Sequence, residues 1–164
     1  MSYLRQFILT LPLLFLGTVL SAQNTNVAFG AIKADPTLPV EVTADNLDVN
    51  QENGSAEFTG NVVVIQGEMK LSAARVLVIY NQEESGIDRM EATGDVLLVN
   101  GPDAAEAQRA DYTIDSGVIV MTGDVLLTQG QNALTSDKMT VHLTNGTAQM
   151  NGRVKTILNP DGDN

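Results

Sequence analysis

Four stretches of this chain spell almost the same word. Thr59-Gly60-Asn61-Val62-Val63-Val64-Ile65-Gln66-Gly67 returns as Thr93-Gly94-Asp95-Val96-Leu97-Leu98-Val99-Asn100-Gly101 and as Thr122-Gly123-Asp124-Val125-Leu126-Leu127-Thr128-Gln129-Gly130. Asn151-Gly152-Arg153-Val154-Lys155-Thr156-Ile157 is a worn fourth copy. The leading glycines stand 34, 29 and 29 residues apart, a spacing at which each repeat buries its apolar side by stacking on the next. An aliphatic, β-branched run that ends at Gly reads as a strand entering a tight turn. The chain is thus expected to be built from repeated strands.

A second word precedes each glycine word: Ala44-Asp45-Asn46-Leu47, Ala74-Arg75-Val76-Leu77, Ala110-Asp111-Tyr112-Thr113 and Ser136-Asp137-Lys138-Met139. Turn signals lie between them at Asn53-Gly54, Glu84-Ser85-Gly86, Asp115-Ser116-Gly117 and Thr144-Asn145-Gly146, where Gly and Asn tolerate positive φ. Val40 to Val49 reads as one strand and Ser55 to Ile65 as the next, so the unit is a hairpin. Pro102 to Arg109 has helix propensity, with Asp103 placed as a cap. The matching places in other repeats, 69–73 and 133–136, look extended, and the pattern predicts strand there too.

Met1 to Ala22 has a short polar start with Arg5, an apolar run from Phe7 to Leu20, and small residues at Ser21-Ala22. That is the layout of a secretory signal peptide, its apolar segment shorter than the roughly 20 residues a spanning helix needs. Cleavage after Ala22 is the favoured reading; cuts after Ser21 or Gly30, or an uncleaved anchor, are the alternatives. The expected organisation is a signal peptide at 1–22, a flexible lead-in at 23–39 containing Pro36 and Pro39, one β domain at 40–158 and an acidic tail at 159–164.

Charge narrows the function. The formal net charge is −11, and residues 23–164 carry 8 basic against 20 acidic side chains. Nucleic acid is disfavoured, because phosphate binding needs clustered Lys and Arg. No cysteine and a single His leave no disulfide framework and no thiolate or His-based zinc site. Asp45, Asp48, Asp111, Asp115 and Asp124 fall at outward or turn-proximal positions, and His142 has no partner at triad spacing, so no catalytic residue, metal or cofactor is expected.

Alternation assigns the two faces of the repeated strand. One face collects Phe58, Gly60, Val62 and Val64, then Ala92, Gly94, Val96 and Leu98, then Met121, Gly123, Val125 and Leu127, then Met150, Gly152, Val154 and Thr156. The other begins with Thr59 and Asn61, Thr93 and Asp95, or Thr122 and Asp124, a polar start that faces water, and turns apolar at Val63, Ile65, Leu97, Val99 and Leu126, which suggests a covered outer surface or contact with a neighbouring sheet. Each glycine either lets the sheet bend or leaves clearance for a ligand. Met90, Met121, Met139 and Met150 are either core filler or a pliable wall.

In their order, these words resemble the OstA-like (LptA) family of lipopolysaccharide transport proteins, over about Val40 to Leu158. The resemblance implies an all-β fold, an open, V-shaped, twisted antiparallel β-jellyroll, in the periplasm and peripheral to both membranes. It implies a trough that shields the acyl chains of lipid A, which assigns Phe58, Val62, Val64, Val96, Leu98, Met121, Val125, Leu127, Met150 and Val154 to lipid binding. It also implies end-to-end strand pairing with LptC-like and LptD-like partners and in a head-to-tail homo-oligomer. The edges for that pairing are Val40, Val42, Leu47 and Val49 on one side and Val154 and Ile157 on the other. Two alternatives stay open: a structural or adhesive repeat protein with a closed core, and an anchored LptC-like subunit.

Overall fold

The structure, a computed structural model, describes residues 25–28, 35, 37–81 and 86–159. Eleven strands and no helix make up these residues: β1 (Thr25–Ala28), β2 (Glu41–Thr43), β3 (Asn46–Asn50), β4 (Ser55–Gln66), β5 (Met69–Tyr80), β6 (Ile87–Asn100), β7 (Asp103–Thr113), β8 (Val118–Gln129), β9 (Asn132–His142), β10 (Thr147–Asn151) and β11 (Lys155–Ile157). From β4 to β10 they form a meander in which each strand pairs antiparallel with the next. From Asp103 to Arg109 the stretch with helix propensity is strand, as the repeat pattern predicts, with Pro102 in the turn before it, because β7 is paired along both sides.

The glycine of each repeated word bends its strand. Gly60, Gly94, Gly123 and Gly152 have φ of +79°, +81°, +85° and +76°, and Asn61, Asp95, Asp124 and Arg153 follow at +48°, +48°, +48° and +43°. Two consecutive left-handed residues form a bulge, and the ladder shifts register there in β4, β6 and β8. Asn and Asp tolerate this region better than other side chains, so the Gly-Asn and Gly-Asp spelling is the local cause of the bend.

The bends crease the sheet into two layers. Layer one holds 46–50, 55–59, 75–80, 87–93, 109–113, 118–122, 138–142 and 147–151, with β1 paired outside β10. Layer two holds 41–43, 62–66, 69–73, 96–100, 103–107, 125–129, 132–136 and 155–157. One contiguous apolar core lies between them. The result is an open antiparallel jellyroll.

Two details differ from the sequence reading. Val40 to Val49 is not one strand: it breaks at Ala44-Asp45, where the Asp45 N–H donates to the Gly60 carbonyl at the bulge (2.9 Å). Within the stretch read as a flexible lead-in, Thr25–Ala28 pairs with β10, Thr25 opposite Met150 and Ala28 opposite Thr147. Residues 1–22, read above as a signal peptide, and residues 160–164 lie outside the described residues.

Candidate functional site

The inner face is continuous across the meander. Val62, Leu98, Met121, Val125, Leu127 and Met150 are 0% exposed and Val64 and Val96 1%, so eight of the ten predicted trough residues share one buried surface. Phe58 and Val154 are half-buried beside the two ends. Met90 and Met139 lie on the same surface, at 4% and 0%.

Apart from Met139, sequence reasoning missed the contribution of β5, β7 and β9. Met69, Leu71, Val76, Val78, Tyr112, Leu134 and Val141 are all buried there. In these strands the inward phase flips at the crease: Met69, Leu71 and Ala73 give way to Val76 and Val78, and Ala105 and Ala107 to Ala110 and Tyr112. Ala74, Gln108 and Asp137 stand at the flips, each across from a bulge glycine. A Cβ on Gly94 would come within 2.9 Å of Ala74, one on Gly123 within 2.9 Å of Gln108 and one on Gly152 within 2.5 Å of Asp137; on Gly60, Asp45 would be 2.6 Å away. The glycine gap is therefore filled by the chain's own neighbouring strand, and these glycines serve the bend.

Polar side chains clasp three of the four bulges. Asn61 Nδ2 donates to Asp45 Oδ2 (2.7 Å), Gln108 Nε2 to Asp124 Oδ2 (2.8 Å), and Arg153 Nε to Asp137 Oδ1 (2.9 Å). Asp45 and Asp124, weighed above as acidic groups, thus work as backbone-shaping groups on the outside. The fourth bulge, Gly94-Asp95, faces Ala74, which has no polar atom to offer.

The two layers meet rather than gape. The void between Val64, Met69, Leu71, Val76, Met90 and Tyr112 is about 10 Å³, at the lower limit for a single water. The Tyr112 hydroxyl donates to Gln66 Oε1 at 2.6 Å across this seam, and burial pushes its pKa up to about 12. Gln66, Asn100 and Gln129 end three repeated words and form a polar lip. Gln66 Nε2 donates to the Leu38 carbonyl (2.9 Å) and Gln129 Nε2 to Asp103 Oδ2 (2.9 Å), while the 1%-exposed Asn100 amide has no hydrogen-bond partner.

The outer face is charged and paired. Arg75 grips Glu57 (2.7 and 2.9 Å), and Arg109 joins Glu91 (2.8 Å) to Asp111. The Arg75 hydrogen bond holds the Glu57 carboxyl below its ordinary range, and Arg153 does the same to Asp137. A broad surface hollow is also outside, between the β3–β4 turn and Leu77 and Ile79. Asp48, Glu52 and Glu57 line it and its cation, Arg75, is already held by Glu57, which makes it a poor seat for an anion. Among the described residues no cluster of His, Cys, Asp and Glu could hold a metal ion, and no helix is long and apolar enough to cross a membrane.

At the sheet edges, Leu47, Val49 and Ile157 are 54%, 63% and 51% exposed. Val40, Val42 and Val154, predicted with them, turn partly inward and pack against the core.

Residues 41–147 match the family described as LptA/(LptD N-terminal domain) LPS transport protein. An uncharacterized protein of Rhizobium meliloti is 29% identical over 107 residues, 61% of this chain and 58% of that protein. The lipopolysaccharide export system protein LptA of Haemophilus influenzae is 35% identical over 74 residues, 45% of this chain and 41% of that one. LptH of Pseudomonas aeruginosa, also a lipopolysaccharide export system protein, is 33% identical over 81 residues, 49% and 43% of the two chains. The matched segments span about half the length of these relatives. The crystal structure of LptH, the LptA-homologous periplasmic component of the lipopolysaccharide transport device of P. aeruginosa, superposes with a TM-score of 0.69 at 19% identity, covering 77% of this chain and 99% of that one; it shares the fold. With well over half of its length inside the family match, the chain belongs to the LptA/LptD N-terminal domain family of lipopolysaccharide transport proteins.

Proposed function

We propose that this chain is a periplasmic carrier that binds lipopolysaccharide through the acyl chains of lipid A and bridges the inner and outer membranes, with no catalytic step of its own. The observation that carries the reading is the inner face, predominantly apolar from Val62 to Met150, with Gln66, Asn100, Asp103 and Ser136 as its buried polar members, and closed by side chains that yield. Five methionines, Met69, Met90, Met121, Met139 and Met150, are at most 4% exposed on it, and Met adapts its shape at low cost.

Seating an acyl chain exchanges wall-to-wall contact for wall-to-chain contact. Each methylene taken from water contributes about 0.8 kcal/mol, against the cost of parting the layers, so the net remains small enough for release. The acidic surface repels the lipid's phosphates, which leaves the acyl chains as the attractive part. End-to-end pairing through the exposed β3 and β11 edges, with LptC-like and LptD-like domains or with further copies, would extend the track.

Photo-crosslinking side chains at Val62, Val96 and Val125 are expected to capture lipopolysaccharide in cells, and the same probes at Asn61 and Asp124 are not. Capture only at the outward pair would overturn the reading. The near-absence of void favours one rival, a structural repeat protein with a permanently closed core. An apolar fluorescent dye separates the two: uptake by the folded protein supports the carrier, and none at any concentration supports the rival.

A further inference from the structure

The two ends of the jellyroll are built differently. At the N-terminal end the layers finish level, since β3 closes layer one and β2 closes layer two, both directly on β4. At the C-terminal end β10 and β11 finish level in the same way, both directly on β9. β1 breaks that symmetry: it pairs with the free side of β10 over four residues, so layer one projects one strand beyond layer two.

A second copy of the chain presents a level end. Its β3, five residues long like β10, carries Leu47 and Val49 opposite Phe58 and Ala56, hence on the inner face, and exposes them by 54% and 63%. Docked on β10, they would lie in line with Ala148 and Met150, while β2 met β11 in the other layer. With β1 in place that fit fails, because β3 meets β1 one strand, about 4.8 Å, too early for β2 to reach β11.

We propose that β1 is a displaceable stopper: the chain's own N-terminal strand fills the β10 acceptor edge, and a second copy docks end to end only after displacing it. The inference rests on the end-to-end pairing proposed above. Short edge strands are a recognised guard against uncontrolled sheet growth. The ladder lost with β1 is replaced by a longer one from β3, so the exchange conserves backbone pairing and adds cover for two bare aliphatic side chains.

The test uses the full-length chain, exported and purified, and measures self-association by sedimentation across a concentration series. Asn26→Pro with Val27→Pro removes two N–H donors from β1. It is expected to tighten self-association by about tenfold or more, the scale set by one or two net hydrogen bonds lost from the competitor. Val27→Cys with Ala148→Cys, at directly paired positions in a chain that has no other cysteine, is expected to hold the oxidised protein monomeric and to release it on reduction. Equal association by the wild type, the proline variant and the oxidised cysteine variant overturns the stopper and leaves end-to-end pairing standing. No association by any of them at any concentration overturns end-to-end pairing, and the stopper with it.

Discussion

Tyr112 and Gln66 lie 46 residues apart in the chain, and the hydroxyl of the first donates to the side-chain oxygen of the second at 2.6 Å, joining the two layers through the interior. Both residues are 1% exposed. Tyr112→Phe deletes this donor and is expected to cost about 1–3 kcal/mol, the price of a buried acceptor losing its partner.

The same residue sets an alkaline limit. Burial raises the folded-state pKa of Tyr112 to about 12, above the value near 10 of an unfolded tyrosine. Between those values the unfolded chain gives up a proton that the folded chain keeps. The contribution of Tyr112 is therefore fully present below about pH 10 and is lost as pH rises towards 12. Urea midpoints at neutral pH and near pH 11 should show a drop in the wild type that is smaller in Tyr112→Phe.

A pair of alanine substitutions separates backbone strain from crowding. Gly130 has φ +57° with nothing within 4 Å of an added Cβ, whereas Gly123 has φ +85° and would bring that atom to 2.9 Å from Gln108. Gly130→Ala is expected to cost about 1 kcal/mol from left-handed strain alone. Gly123→Ala adds the push against Gln108 and is expected to cost about 2 kcal/mol or more. Equal melting temperatures for the two variants would show that Gln108 simply swings away.

These glycines also explain what could be read from the sequence. In β4, β6 and β8 the two-residue bulge preserves the inward phase, so counting by twos from Phe58 to Val64 or from Met121 to Leu127 gives the right face. In β5, β7 and β9 the phase flips instead, and the words beginning at Ala74 and Ala110 are misaligned. Their true counterparts, across from the bulges, are Ala73-Ala74 and Ala107-Gln108. The pairing of Thr25–Ala28 with β10 had no local signal, since four residues carry no period and the partner lies more than a hundred positions away. How far the layers close is likewise a property of inter-layer packing that alternation within a strand does not encode.

Acid should weaken the crease. A guanidinium hydrogen bond from Arg153 holds the Asp137 carboxyl below its ordinary range, so the folded state binds that proton less readily than the unfolded chain. The resulting stability is present above about pH 4, the unfolded value, and is lost as pH falls from there through the lower folded-state value. Arg153→Gln is expected to flatten this acid limb in melting temperatures taken from about pH 6 to pH 3. Because Arg153 is exposed, the difference between variant and wild type should shrink in molar salt. An unchanged acid limb would mean that the pair at the last bulge contributes nothing measurable.

Adjacent residues of β8 provide the most direct test of which face carries lipid. Val125 is 0% exposed on the inner face, and Leu126, its neighbour, is half-buried on the outer one. Val125→Asp places a carboxylate on the buried inner face, across from Ser136, where an unpaired charge costs several kcal/mol and raises its own pKa to escape ionisation. Leu126→Asp adds the same charge facing water and is expected to cost about 1 kcal/mol. Both variants must first be shown folded by their circular dichroism. Among folded protein, Val125→Asp is expected to lose lipopolysaccharide crosslinking from a probe at Val96 and to fail to support growth when the native copy is depleted. Leu126→Asp should retain both functions, because the acyl chains never meet its side chain. The opposite pattern would move the lipid track to the outer face, where Val63, Leu97 and Leu126 stand, and would leave the buried inner face with packing as its only role.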